Sequence, residues 1–405
     1  MSRRMPDAHT MLSMAFGIRH GIICYRKIRT TRYMKFTVDG KAFQQQLQAV
    51  SKVVNAKNSL NILDNFLLQI EGDVLSIMGS DQENSLVARM TVTECDGDGI
   101  VAIPARKLLE VTKEVNNQPV TISVRDDMQV KLQFQNGFFE FMGVPGEDYP
   151  TPRALDGNAM SLSLPASMVM KGIANTMFAA STDTVRPVMM GIYWDIHPGD
   201  ITFVSSDTHK LVKYVNTEKA PGLESSFVMA PKAANILNNL VSKDLAEVRV
   251  TFDAKGCVIE FGDYTLTSMF INGTYPNYAR VIPQDQPFAL TFDRASLLSS
   301  LRRVTLFASK ASNLVVLSLE QNQVVIKAQD VDYGQSAEEH VNCDYDGNNM
   351  TIGFNGVFMI QILSNLSSDA VQLKLSDPAR PGVYEPLPQE DGESLVIIQM
   401  PMQVL

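Results

Sequence analysis

His209 stands two residues after Asp207 in the run Ser205-Ser206-Asp207-Thr208-His209-Lys210-Leu211, and a histidine beside a carboxylate is the simplest general acid/base pair a chain can offer. Asp344-Tyr345-Asp346-Gly347-Asn348 opens like a calcium loop, whose alternate positions supply oxygen ligands. Spacing weighs against both. The closing position of a calcium loop needs a bidentate Glu, and here it is Asn355, so a hairpin turn is the better reading. Asp81, Asp207 and Asp330 recur at matching places in a repeat described below. A turn requirement produces such recurrence, and a single active site does not. Cys24, Cys95, Cys257 and Cys343 show no CxxC spacing, which excludes a zinc or disulfide framework and fits a reducing cytoplasm. The chain has no P-loop, GxSxG or HExxH motif, leaving nucleotide hydrolysis and nucleophilic catalysis without residues to stand on. The expectation is a protein that is not an enzyme and holds no metal or cofactor. A hydrolase on repeated units would need converging titratable groups; a scaffold that binds only proteins would lack the charge segregation described below.

What positions these residues is a threefold repeat. Phe36 and Val38 alternate as in a half-buried strand, and Phe43, Leu47, Val50 and Val54 then mark one face of a helix. Leu162 and Leu164 before Val169 and Ile173, and Leu290 and Phe292 before Leu297 and Leu301, repeat the pattern. A second helix start lies inside each copy at Pro104, Pro231 and Asn355, with Leu109, Ile236 and Ile360 predicted to face inward. Alternating strands follow, and Glu71-Gly72, Asn136-Gly137 and Lys255-Gly256 read as hairpin turns. The predicted fold class is α+β, with two helices packed on antiparallel sheet in each of three domains, 34–157, 158–283 and 284–405. Residues 1–33 carry seven Arg or Lys and one acid. They are read as a leader, disordered or a mis-assigned start, with the natural start at Met34. The apolar stretch within it is too short to span a membrane.

The net charge of −9 is unevenly placed. Segments 41–57, 104–117, 165–181, 231–244, 294–310 and 355–368, predicted to be helical, together carry +10, and the rest of residues 34–405 carries −25. Helices gathered on one concave face would give a basic wall on an acidic body, able to hold a duplex without reading bases. Packed ~9 Å apart, twelve helices leave a hole of roughly 24 Å and six only ~7 Å. A duplex on the order of 20 Å wide therefore needs two copies, joined head to tail through edge strands of the first and third domains.

The segments MKFTVDGKAF at Met34, LNILDNFLLQ at Leu60, IPARKLLEV at Ile103, SSDTHKLV at Ser205, NGTYPNYARVIP at Asn272, IGFNGVF at Ile352 and MPMQVL at Met400 resemble, in order and spacing, the bacterial sliding clamps, the β subunits of DNA polymerase III. The resemblance spans Met34 to Leu405. It implies three DNA-clamp domains forming half of a ring, and a homodimer that encircles duplex DNA and confers processivity. It further implies tethering of the polymerase III catalytic subunit, the clamp loader, other polymerases, mismatch-repair proteins and ligase through short Gln- and Leu/Phe-containing peptides. Carried over, the peptide groove comprises Met189, Ser206, Thr208, His209, Lys210, Leu211, Pro276, Arg280, Val281, Asn355, Phe358, Pro401 and Met402. The DNA-facing positions comprise Lys57, Arg106, Lys107 and Arg186 by the same resemblance, and Arg302, Arg303 and Lys310 by charge density. The chain departs from the family at Thr208 and Lys210, where Gly and Arg are common, and at Phe358, where Tyr is. It departs also at Pro187 and Val188, two aromatic positions in the family, and in its Gln403-Val404-Leu405 tail.

Overall fold

The computed structural model describes residues 33–404 and, before them, the backbone of Leu12–Arg19 and Ile22–Arg29, which pair antiparallel as a two-stranded sheet. The rest of the expected leader lies outside the described residues. Six times a strand runs directly into a helix: Met34–Asp39 into α1 (Gly40–Ser51), Gly99–Pro104 into α2 (Ala105–Glu114), and Met160–Pro165 into α3 (Ala166–Thr176). Ser225–Met229 leads to α4 (Pro231–Leu240), Phe288–Asp293 to α5 (Arg294–Val304), and Met350–Asn355 to α6 (Gly356–Asn365).

Local chemistry starts these helices. The Asp39 carboxylate accepts the Ala42 N–H at 2.8 Å and Asp293 accepts that of Ser296 at 2.7 Å. The Asn355 side chain accepts the Phe358 N–H at 3.1 Å. Each satisfies an amide the helix itself leaves unpaired. Pro104 precedes α2 and Pro231 opens α4, where a missing N–H costs nothing.

The chain forms two compact units. One comprises Met1–Ala166 with Asn235–Met269, the other Ser167–Ala234 with Phe270–Leu405. In the first, nine antiparallel strands run in the order Val144–Pro145, Gly99–Pro104, Asn65–Glu71, Val74–Ser80, Asn84–Thr91, Tyr264–Met269, Gly256–Phe261, Glu247–Phe252, Met160–Pro165. A second sheet of five has Gly137–Met142 at one edge and Glu94–Asp96 at the other. In the second unit, eight strands run Ser225–Met229, Ile192–Ile196, Ile201–Ser206, Lys210–Asn216, Glu393–Gln399, Gly382–Leu387, Ala370–Leu375, Phe288–Asp293. A four-stranded sheet there ends at Gln335–Asn342. The two large sheets each run across a predicted domain boundary: Asn84–Thr91 pairs with Tyr264–Met269, and Lys210–Asn216 with Glu393–Gln399. Contact density therefore groups the three repeats into two units.

The periodic apolar residues fill the cores. Phe36, Val38, Phe43, Leu47 and Val50 are buried, as are Leu162, Leu164, Val169, Ile173, Leu290, Phe292, Leu297 and Leu301. Among the second helices, α4 buries Ile236 as the sequence leads one to expect, whereas in α2 and α6 the buried positions are Leu108 and Met359, with Leu109 and Ile360 half-buried beside them. The helices are also shorter than the charged segments, so Lys52, Lys57 and Lys310 fall in the turns that follow α1 and α5.

Candidate functional site

In the second unit, Ile201–Ser206 and Lys210–Asn216 form a hairpin, and the second strand pairs on its far side with Glu393–Gln399, bringing Leu211 opposite Ile398. Both side chains are buried against Val204, Val228, Tyr275 and Val383. That sheet face, with the turns Pro187–Met190 and Tyr278–Val281 beside it, encloses a cavity of about 370 Å³. Leu211, Ile398, Met189 and Tyr275 are its buried wall, and Thr208, Pro276, Val281 and Met400 stand exposed at its mouth.

The turn that carries Thr208 is held by its own polar groups. Asp207 Oδ1 accepts the N–H of His209 at 2.9 Å and of Lys210 at 2.8 Å, and Ser206 Oγ accepts that of Thr208 at 3.1 Å. Asp207 Oδ2 receives the buried Lys210 ammonium at 2.5 Å. The carboxylate is thereby used up, and His209 instead stacks on Phe358 with ring centres 5.6 Å apart. The pair that could have been an acid/base couple is a turn and a stacking contact. Asp81 makes the same bonds to Glu83 and Asn84 in the first repeat, at 3.0 and 2.7 Å. Asp344 likewise bridges Thr291 through backbone hydrogen bonds at 2.9 and 3.0 Å, and Asn355 caps α6.

Thr208 has φ +76°, a left-handed conformation that costs a β-branched residue on the order of 1–2 kcal/mol. On the opposite side, Tyr193 stacks on Tyr275 with centroids 4.7 Å apart, and the Tyr278 hydroxyl donates to Asp195 at 2.7 Å. Burial pushes the Tyr275 and Tyr278 hydroxyls well above the usual tyrosine range, so both stay neutral at physiological pH.

Of the groove residues carried over from the sequence, Met189, Ser206, Thr208, His209, Lys210, Leu211, Pro276 and Val281 line this cavity. Arg280, Asn355, Phe358, Pro401 and Met402 do not. Arg280 is exposed, and the Asn355 amide is spent on Phe358 and Ser312. The Phe358 ring instead lies against His209 and the Lys210 ammonium. The Met402 N–H bonds to Gly353 O at 2.8 Å, drawing the tail away past a glycine where a Cβ would meet the Met402 carbonyl. Tyr275, Asn277, Tyr278 and Ile398 line the cavity without having been singled out, together with Met400 of the MPMQVL segment. Strand alternation held the signal for Ile398, which shares a face with Met400.

The cationic positions are dispersed in role. Arg186 lines the cavity and pairs with Asp183 at 3.1 Å, so it sits at the pocket rather than apart from it. Glu339 grips Arg303 through two bonds of 2.7 and 2.6 Å. Arg106 pairs with Glu110 at 3.1 Å on an exposed face, a contact of little energetic weight. Lys57, Lys107, Arg302 and Lys310 are exposed, with no ion pair among the described residues. Arg294 bonds to the carbonyls of Ser368 and Leu363 at 2.6 and 3.1 Å and ties α5 to the end of α6.

Three family profiles cover nearly all of the chain from Met34 on. They are the N-terminal, central and C-terminal domains of the DNA polymerase III beta subunit, at residues 34–153, 163–277 and 279–403. The beta sliding clamp of Pseudomonas aeruginosa is 27% identical over 373 residues, which is 92% of this chain and 100% of that protein. That of Caulobacter vibrioides is 28% identical over 390 residues, again 92% and 100%. A crystal structure of the P. aeruginosa sliding clamp bound to griselimycin superposes with a TM-score of 0.87 at 26% identity, covering 92% of this chain and 100% of that one.

Proposed function

Because this chain belongs to the bacterial DNA polymerase III beta subunits, and is a sliding clamp rather than an enzyme, we propose that two copies close head to tail around duplex DNA and that the cavity beside Leu211 tethers partner proteins. The observation that carries the tethering is the cavity itself. Its wall is apolar and the exposed His209 and Arg186 stand at its rim, the arrangement that seats the apolar anchors of a short peptide while polar groups fix its backbone. Its occupants are the polymerase III catalytic subunit, the clamp loader, other polymerases, mismatch-repair proteins and ligase, each through such a peptide. Its compartment is the cytoplasm; among the described residues no helix is long and apolar enough to cross a membrane.

Ring closure is supported by two edges. Gly137–Met142 ends the five-stranded sheet with Phe138 and Met142 more than half exposed. Gln335–Asn342 ends the four-stranded sheet beside the turn Thr305–Phe307, where Leu306 is 68% and Phe307 39% exposed. An exposed sheet edge presents a row of unpaired N–H and C=O groups ready to pair with another chain, and two different edges meeting between copies make a contact that closes into a ring.

Val281 and Met400 are exposed at the mouth, so replacing both by Ala spares the fold. Fluorescence anisotropy with a labelled Gln-Ala-Ser-Leu-Leu peptide should show affinity lowered about tenfold or more; unchanged affinity would remove the cavity from the tethering role. For DNA, the chain loaded on a nicked circle should remain bound and be lost once the circle is cut. Arg302→Ala should weaken that retention more than Arg303→Ala combined with Glu339→Ala, since the Arg303–Glu339 pair is already neutral and only uncompensated cations draw phosphate. The reverse order would show that the Arg303–Glu339 pair opens on DNA.

A further inference from the structure

Building on the pocket's role as a peptide groove, we propose that Thr208 is a specificity-determining residue that fixes the width of the mouth, so that a slender aliphatic anchor is accepted in preference to an aromatic one. Four exposed residues frame that mouth: Thr208, Pro276, Val281 and Met400. Met400 is an unbranched thioether and yields to the shape of what enters. Val281 and Pro276 sit on the exposed segment around the turn Tyr278–Val281, outside the regular strands. Thr208 shares the stiff, Cβ-branched side chain of Val281, but its backbone belongs to the tight turn between two paired strands and is pinned by the hydrogen bonds of Ser206 and Asp207 on either side. It is therefore the edge of the opening held most firmly by the sheet, stiff in side chain and backbone alike.

The conformation marks the residue as costly to keep. At φ +76° glycine is unstrained and threonine is not. Strain of this kind persists where the surroundings over-determine it, and it clusters at ligand sites. The matching turn of the first repeat also has a non-glycine residue, Gln82 at φ +81°. There the side chain has a structural task, accepting a hydrogen bond from Ser59 at 3.3 Å. No hydrogen bond among the described residues engages the Thr208 hydroxyl, and the side chain lies exposed, contributing nothing to a core. What it contacts is the space a ligand must cross.

The test compares two labelled pentapeptides, Gln-Ala-Ser-Leu-Leu and Gln-Ala-Ser-Leu-Phe, on the full chain and its variants by fluorescence anisotropy. The full chain should prefer the first by on the order of tenfold, the range a pocket achieves by shape alone. Thr208→Gly should bring the two toward parity by tightening the aromatic peptide, and should raise the unfolding temperature as the strain is relieved. Thr208→Val keeps the width without the hydroxyl and should keep the preference. Preference retained in the glycine variant, lost in the valine variant or absent from the full chain overturns the proposal. If the full chain binds neither peptide, the tethering role of the cavity fails first, and the role of Thr208 falls with it.

Discussion

Replacing Leu306 and Phe307 together with Asp should convert the dimer to a folded monomer. Leu306 is 68% exposed and Phe307 39%, so neither substitution empties a core, and the melting curve of the subunit should barely move. Covering a large apolar side chain contributes roughly 1.5–3 kcal/mol, and a carboxylate at the same place must instead be stripped of water. Loss of even one such contribution weakens association on the order of tenfold to a hundredfold. Sedimentation velocity at micromolar concentration should then show a single species of monomer mass. A variant that still sediments as a dimer would place the contact somewhere other than the turn after α5.

Asp253→Ala should produce the largest loss of stability, and in the other compact unit. The Asp253 side chain is buried, receives two bonds from Arg153 at 3.0 and 2.6 Å, and accepts the N–H groups of Asp156, Lys255 and Gly256 at 2.8–3.0 Å. Its removal strands a guanidinium and three amides, a cost of roughly 3–5 kcal/mol. Burial alone would raise this carboxyl's pKa, but the bonds from Arg153, Lys255, Asp156 and Gly256 outweigh it and hold the group well below the usual carboxylate range. A depressed folded-state pKa gives stability that is complete above the unfolded value of ~3.9 and drains away as pH falls through the folded value. Urea unfolding followed from neutral pH to below pH ~3 should show that decline. In Asp253→Asn the decline should be shallower, and an equal slope in both chains would mean that other carboxylates dominate acid unfolding.

Much of this was legible because it repeats. Phe43 and Leu47 spaced along α1, and Leu297 and Leu301 along α5, announce buried helix faces, and periodic burial is what a sequence encodes most directly. The hairpin through Asp207 was legible as a turn for the same reason, since Asp81 makes the matching bonds. Pairing between distant strands is not written locally. Nothing near Leu211 says that Ile398 lies opposite it, so Ile398 went unnoticed although Met400 and Met402 lie on the same alternation. The tail's bond to Gly353, which separates the two methionines, depends on a glycine nearly fifty residues away in the chain. Charge was misleading in a third way. Arg303 and Arg186 count as positive in the sequence, and only the fold reveals that Glu339 and Asp183 have already claimed them.

The nine-stranded sheet has a practical corollary for anyone dissecting this chain. Asn84–Thr91 and Tyr264–Met269 are joined along five consecutive residue pairs, from Tyr264 with Ala88 to Ser268 with Asn84. A fragment ending near residue 157 would shed its neighbour and bare a full row of unsatisfied amides and carbonyls, a template for fibrous self-association. Cutting at the joints that look like linkers should therefore yield sticky pieces rather than modules, and soluble sub-fragments are better sought by keeping 235–269 with the first repeat.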